Sequence, residues 1–259
     1  MFYGCNVSCN QLPTSSNGDW STLIQRFSPH SHSIIYKRKE EGRFRPDFRS
    51  RLEVGVSLPK MMKKQFHVIS TGRQSTEQVV AIASEIHLYV DAIHLREKTK
   101  TAKELGEMIE SLLLHGVPKE KIVVNDRVDV AAVYGVKVQL AFHSLSVRQV
   151  KECFSSLSVG CSVHSLDEAK EAEHSGADFC IYGHVFPTAS KRGVPPRGIE
   201  ALAQIVNAVH IPVIAIGGIQ PHHVPSVWEA GAAGIAVMSG VFFAEDPLRE
   251  VKRYAQMIF

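Results

Sequence analysis

The chain has 259 residues, 44% of them hydrophobic, and a formal net charge of +3. That is enough for a sizeable core in one large or two small domains, and no apolar run reaches the ~20 residues of a membrane span. The mixed charge beyond Phe66 offers no basic face for nucleic acid, the five cysteines have no paired spacing for a disulfide or zinc framework, and no basic-then-apolar leader opens the chain, all of which fits a reduced, cytoplasmic protein without nucleic-acid or membrane partners.

Residues 1–64 lack sustained 3.6 or 2.0 periodicity and carry the basic cluster Lys37, Arg38, Lys39, Arg43, Arg45, Arg49 and Arg51. They read as a disordered N-terminal extension. Two alternatives stay open: a basic tethering arm, or a coding start at the Met61-Met62-Lys63-Lys64 run, which would leave the extension outside the protein. Residues 65–259 read as the catalytic domain. Short β-branched runs there alternate with amphipathic stretches. The predicted strands are 66–70, 92–95, 122–125, 136–140, 159–163, 179–182, 213–216 and 234–238. The predicted helices are 77–86, 102–115, 129–133, 147–154, 166–174, 199–209, 222–229 and 247–258. In the second helix Leu105, Met108, Ile109 and Leu112 share one face. Gly116, Gly135, Gly176 and Gly231 stand where C-terminal caps are expected. Eight strands alternating with eight helices imply parallel pairing and right-handed crossovers. They predict a compact (β/α)8 TIM barrel, short against the ~250 residues usual for that fold. An open doubly wound sheet would carry a glycine-rich fingerprint after its first strand. Thr71-Gly72-Arg73-Gln74 is not one.

In such a barrel the reacting groups sit at the C-terminal ends of the strands. Strand six ends at Gly183-His184, just before a loop containing Thr188-Ala189-Ser190-Lys191. A histidine there can exchange a proton near neutral pH, with Gly183 leaving room for a ligand and the loop able to cover it. The competing reading is a buried histidine satisfied by its neighbours. Gly217-Gly218 after strand seven and Ser239-Gly240 after strand eight can bring bare backbone N–H groups to a phosphate; the competing reading is a tight turn. Arg96 and Lys98 can share one side of strand two and meet an anion, or can be rim ion pairs. Asn125-Asp126 offers a single carboxylate, thin for Mg²⁺. His143, His164 and His184 lie near strand ends, but no metal-ligand spacing links them, so no metal is expected. His222 and His223 read as solvent-facing.

The motifs at these strand ends are His94-Leu95-Arg96-Glu97-Lys98, Asn125-Asp126, Gly160-Cys161-Ser162-Val163-His164, Pro187-Thr188-Ala189-Ser190-Lys191, Ala215-Ile216-Gly217-Gly218-Ile219 and Ala236-Val237-Met238-Ser239. Taken in order, they resemble the thiamine phosphate synthase superfamily of barrels. That superfamily holds a Mg²⁺-dependent synthase, which joins an aminopyrimidine pyrophosphate to a thiazole phosphate, and the TenI-like thiazole tautomerase, which aromatises a 2-carboxythiazole phosphate. The synthase pattern after strand four is close to Gly-Val-His-Leu-Gly-Gln-x-Asp, with the acid a magnesium ligand. Here the stretch reads Lys137-Val138-Gln139-Leu140-Ala141-Phe142-His143-Ser144. The synthase also usually reads Gly-Pro where this chain has Gly183-His184. Residues 66–259 are therefore most similar to the tautomerases.

That resemblance implies an isomerase without cofactor, acting on a small thiazole phosphate as a homodimer. His184 would shuttle the proton. Thr188, Ala189 and Ser190, with Gly217, Gly218, Met238, Ser239 and Gly240, would bind substrate and phosphate. Arg96, Lys98, Asn125 and Lys191, which hold pyrophosphate in the synthase, would be free to receive the carboxylate. The alternatives are a thiamine phosphate synthase and a non-catalytic regulator that binds a phosphate ligand.

Overall fold

A computed structural model describes residues 63–258. The readings of residues 1–62 lie outside that range. Eight parallel strands close into one barrel in chain order: β1 Gln65–Ile69, β2 Ala92–Leu95, β3 Ile122–Asn125, β4 Lys137–Leu140, β5 Val159–Val163, β6 Phe179–Gly183, β7 Val213–Ile216 and β8 Gly234–Val237. The predicted TIM barrel is the fold of this chain, with strand ends displaced by at most one residue from their expected places.

The helices are α1 Thr76–Ile86, α2 Ala102–Leu114, α3 Val128–Tyr134, α4 Val147–Cys153, α5 Leu166–His174, α6 Gly198–Ala208, α7 Val224–Glu229, α8 Ser239–Phe242 and α9 Pro247–Ile258. The expected eight become nine among the described residues. The addition, α8, is a single turn directly after β8, too short for its sequence to show a period. The predicted start of the seventh helix is instead a 3-10 turn, Pro221–His223, leading into α7. Helix starts are set by side chains. Ser75, Thr101 and Ser146 each accept from the backbone N–H three residues on, while Gln78, Glu104 and Gln149 reach back to the capping N–H. Each of these capping boxes satisfies two donors that a helix N-terminus would otherwise leave open.

The core has two layers. Outward-facing strand residues pack under the helices, where Leu105, Met108, Ile109 and Leu112 of α2 are all buried as their spacing predicts. Inside the barrel, Ile69, Phe179, Ile181, Ile214, Ala233 and Ala236 form a separate apolar cluster. The β1–β2 side of the interior is polar: His67 Nδ1 lies 3.1 Å from His94 Nε2, and His67 Nε2 lies 3.0 Å from Gln65 Oε1. Among the described residues no helix is long and apolar enough to cross a membrane.

Candidate active site

The C-terminal ends of the strands enclose a cavity of about 450 Å³, a size suited to a small ligand. His184 follows β6 directly, is 7% exposed and lines this cavity. Its Nε2 lies 3.3 Å from the Val194 carbonyl oxygen. The peptide between Gly183 and His184 is cis. A Cβ on Gly183 would stand 2.3 Å from the Ile216 carbonyl oxygen, so β6 meets β7 too closely for any side chain there.

The turn after β7 packs against this strand end. Gly217 and Gly218 have φ of +100° and +66°, a region that strains residues bearing a Cβ. A Cβ on Gly217 would stand 2.3 Å from the His184 Cβ, and one on Gly218 would stand 2.3 Å from the Pro187 carbonyl oxygen. Tight packing thus requires both glycines, whether or not a phosphate approaches them. Met238, Ser239 and Gly240 also line the cavity. Ser239 opens α8, and the first N–H groups of a helix have no partner within it. The loop after β6 supplies Thr188, Ala189, Ser190 and Lys191, with a 3-10 turn at Ala189–Lys191.

Arg96 and Asn125 line this cavity and an adjoining one of about 320 Å³. Lys98 does not reach the larger space. It lines the smaller one with Arg96, but so does Glu97 between them, since all three lie beyond the end of β2, where strand alternation no longer applies. Lys100, Asp126, Arg127 and His143 line it too. Arg127 is paired with Asp129; their hydrogen bond raises the guanidinium pKa and lowers that of the carboxyl. All the other expected site residues converge on the larger cavity.

Sequence reasoning missed several neighbours. Gln139, 1% exposed, donates from Nε2 to Ser162 Oγ at 3.1 Å, and both line the larger cavity. Tyr254 of α9 lines it too; its hydroxyl donates to the Ile219 carbonyl at 2.8 Å, and burial pushes its pKa to about 12. No local motif marks Tyr254, which arrives from the last helix. His223 is a correction. His222 is exposed as expected, but His223 is half-buried, with its ring stacked on Phe186 at 3.9 Å and its Nδ1 accepting from the Gln220 N–H. That partial burial lowers its pKa. An alternating view of helix faces could not show a stack onto another loop.

The family model described as thiamine monophosphate synthase matches residues 66–241. The chain belongs to the thiamine monophosphate synthase family. A thiamine-phosphate synthase from Pyrococcus horikoshii is 38% identical over 192 residues, which is 73% of this chain and 93% of that protein. Another from Chlorobium luteolum is 40% identical over 159 residues, covering 60% and 75% respectively. The solved thiamine phosphate pyrophosphorylase from Pyrococcus furiosus superposes with a TM-score of 0.65 at 33% identity, covering 76% of this chain and 96% of its own. A 3-hexulose-6-phosphate synthase structure, at TM-score 0.61 and 18% identity, shares the fold alone. These relatives place the chain among the enzymes of thiamine biosynthesis.

The Mg²⁺ that the synthase resemblance implies does not fit this family member's donor set. Ser144 stands at the position of the expected second acid, and its hydroxyl donates to Asp126 Oδ1. His143 Nε2 lies 3.2 Å from the other carboxylate oxygen. Glu97, the remaining acid beside Arg96, is buried and accepts from Ser70 Oγ. Asp126 and Glu97 are thus already engaged by protein donors. Among the described residues no group of three His, Cys, Asp or Glu side chains can hold a metal. His164 sits with Glu168, apart from the His143–Asp126 pair.

Proposed function

We propose that this chain is a thiazole tautomerase, converting a dearomatised 2-carboxythiazole phosphate into its aromatic isomer. One observation carries the reading. A histidine, His184, follows β6 at the cavity where the synthase pattern usually has a proline, and the glycine turn after β7 packs against it with no room for a side chain. The Asp126 carboxylate is meanwhile taken up by Ser144 and His143.

In this reading the N–H groups around Gly217, Gly218, Ser239 and Gly240 hold the phosphate, with Thr188, Ala189, Ser190 and Met238 shaping the space beside it. Arg96 is the cation that receives the carboxylate, with Asn125 and Lys191 lining the same cavity. Lys98 supports the field from the adjoining cavity. His184 takes a proton from one carbon of the substrate and returns it to another. One group can act as base and then acid if both carbons lie within reach. Aromatisation provides the driving force, so the step needs no redox partner.

Positioned acid/base groups contribute on the order of 10²–10⁴-fold to rate. His184→Gln should lose about that much kcat while KM changes little. An NMR assay of tautomer conversion checks this, and unchanged turnover in the variant would refute the assignment. The synthase reading is favoured by a different observation, the names of the relatives together with the retained Arg96, Asn125 and Asp126. A coupling assay with thiazole phosphate, aminopyrimidine pyrophosphate and Mg²⁺ separates the two. A regulator would bind the thiazole phosphate and leave both assays silent.

A further inference from the structure

The segment Val194-Pro195-Pro196-Arg197-Gly198 has no part in the catalytic reading above, yet four of its polar groups contact the residues at the end of β6. Arg197 Nε donates to the Gly183 carbonyl at 3.0 Å, and the Arg197 backbone N–H donates to the His184 carbonyl at 3.0 Å. The next N–H, of Gly198, donates to the Val185 carbonyl at 3.1 Å. Arg197 therefore grips the peptide carbonyls on both sides of the His184 Cα. Three residues earlier the Val194 carbonyl meets His184 Nε2. Two prolines join these anchors, and proline fixes φ near −65°. The residue before a proline is also restricted. The position of the Val194 carbonyl is thus transmitted stiffly from Arg197.

A carbonyl oxygen has lone pairs and no proton. A neutral imidazole has one N–H, and which nitrogen bears it is set by the partner of the other. The Val194 contact claims that proton at Nε2. We propose that Arg197 is a positioning residue that, through Val194, holds His184 as the Nε2–H tautomer, leaving Nδ1 as the atom that accepts the substrate proton. The catalytic consequence rests on the tautomerase reading; the tautomer itself does not. Arg197 acts only through the backbone and the Val194 carbonyl, so its loss should spare substrate binding and disturb the ring.

The test uses the full chain labelled with ¹⁵N. Long-range ¹H–¹⁵N correlation of the His184 ring, at a pH where it is neutral, should show a protonated Nε2 and a bare Nδ1. In Arg197→Met, which keeps the backbone N–H and removes the guanidinium, the ring should become a mixture of tautomers. Misplaced reacting groups cost up to about 10²-fold, so kcat should fall by about 10- to 100-fold with KM within about twofold. A protonated Nδ1 in the wild type overturns the proposal, and so does a variant with unchanged tautomer and unchanged kcat. If the variant does not fold, the wild-type spectrum still decides the tautomer. If the wild type shows Nε2–H but converts no thiazole, the tautomerase reading fails and the positioning geometry stands.

Discussion

Gly217 is where backbone freedom and the candidate base meet. Two penalties act on any side chain there: φ is +100°, and the new Cβ would press on the His184 Cα and Cβ, at 2.7 and 2.3 Å. Gly116 offers a matched control, since its φ is +84° and nothing lies within 4 Å of an added Cβ. Strained backbone at a single residue costs about 1–3 kcal/mol. Gly116→Ala should therefore lower the melting temperature modestly and leave turnover intact. Gly217→Ala should cost more stability and also reduce kcat at least tenfold, because His184 must move to make room. Thermal melts and the tautomer assay on the two variants check this, and equal activity would mean that the turn relaxes without shifting the histidine. Burial also pushes the pKa of Cys161 to about 11 and that of Cys180 to about 12. Neither is a thiolate at neutral pH, in keeping with their free state.

At the scale of elements, helix starts are fixed by short polar motifs rather than by apolar spacing. Thr101 and Glu104 show this most fully: the Thr101 hydroxyl accepts from the Glu104 N–H, and the Glu104 carboxylate accepts from both the N–H and the hydroxyl of Thr101. Those bonds hold the Glu104 carboxyl below its usual range. Losing an N-cap costs about 0.5–2 kcal/mol. Thr101→Ala should lower unfolding stability by about 1 kcal/mol, read by urea titration, with kcat unchanged, since α2 starts away from His184. Apolar periodicity reveals the body of such a helix and says less about its first residue, which is why α1 begins at Thr76 where spacing alone predicts 77. The strands were legible because β-branched runs recur at regular intervals, and eight of them close only one way. From closure followed the set of strand ends, and with it most of the cavity. What stayed hidden depends on contacts between distant segments. Arg197 touches Gly183 across the loop, Tyr254 comes from the last helix, and His223 stacks on Phe186. Lys98 lies in the turn beyond the end of β2, so strand alternation could not place it, and its side chain lines the adjoining cavity.

For the molecule as a whole, the polar half of the barrel interior sets how it should respond to acid. His67 is 3% exposed and His94 is 0% exposed, and their pairing follows from the β1–β2 register, which matches His67 with Ala92 and Ile69 with His94. Burial lowers the His67 pKa from 6.5 to about 3, with the Lys137 charge adding to it. Burial lowers that of His94 too, helped by His67 and Lys137 and opposed by the nearby Asn125 side chain. Both rings stay neutral in the folded barrel, while in the unfolded chain they titrate near the ordinary value of about 6.5. Between pH 6.5 and 3 the unfolded state therefore binds protons that the folded state refuses. Stability is full above the unfolded pKa and falls as pH drops below it, by up to about 1.4 kcal/mol per pH unit for each histidine. From pH 7 to pH 5 each ring should remove about 2 kcal/mol. His223 is pushed in the same direction by its partial burial, so the wild-type slope is not theirs alone and the comparison must be between variants. His67→Gln keeps a polar group between Gln65 and His94 and removes one titrating ring. Its unfolding free energy in urea should drop less between pH 7 and pH 5 than that of the wild type, by about 2 kcal/mol. Parallel pH profiles for the two proteins would mean that the buried pair takes up protons without unfolding, and that the barrel interior is more open to water than its packing shows.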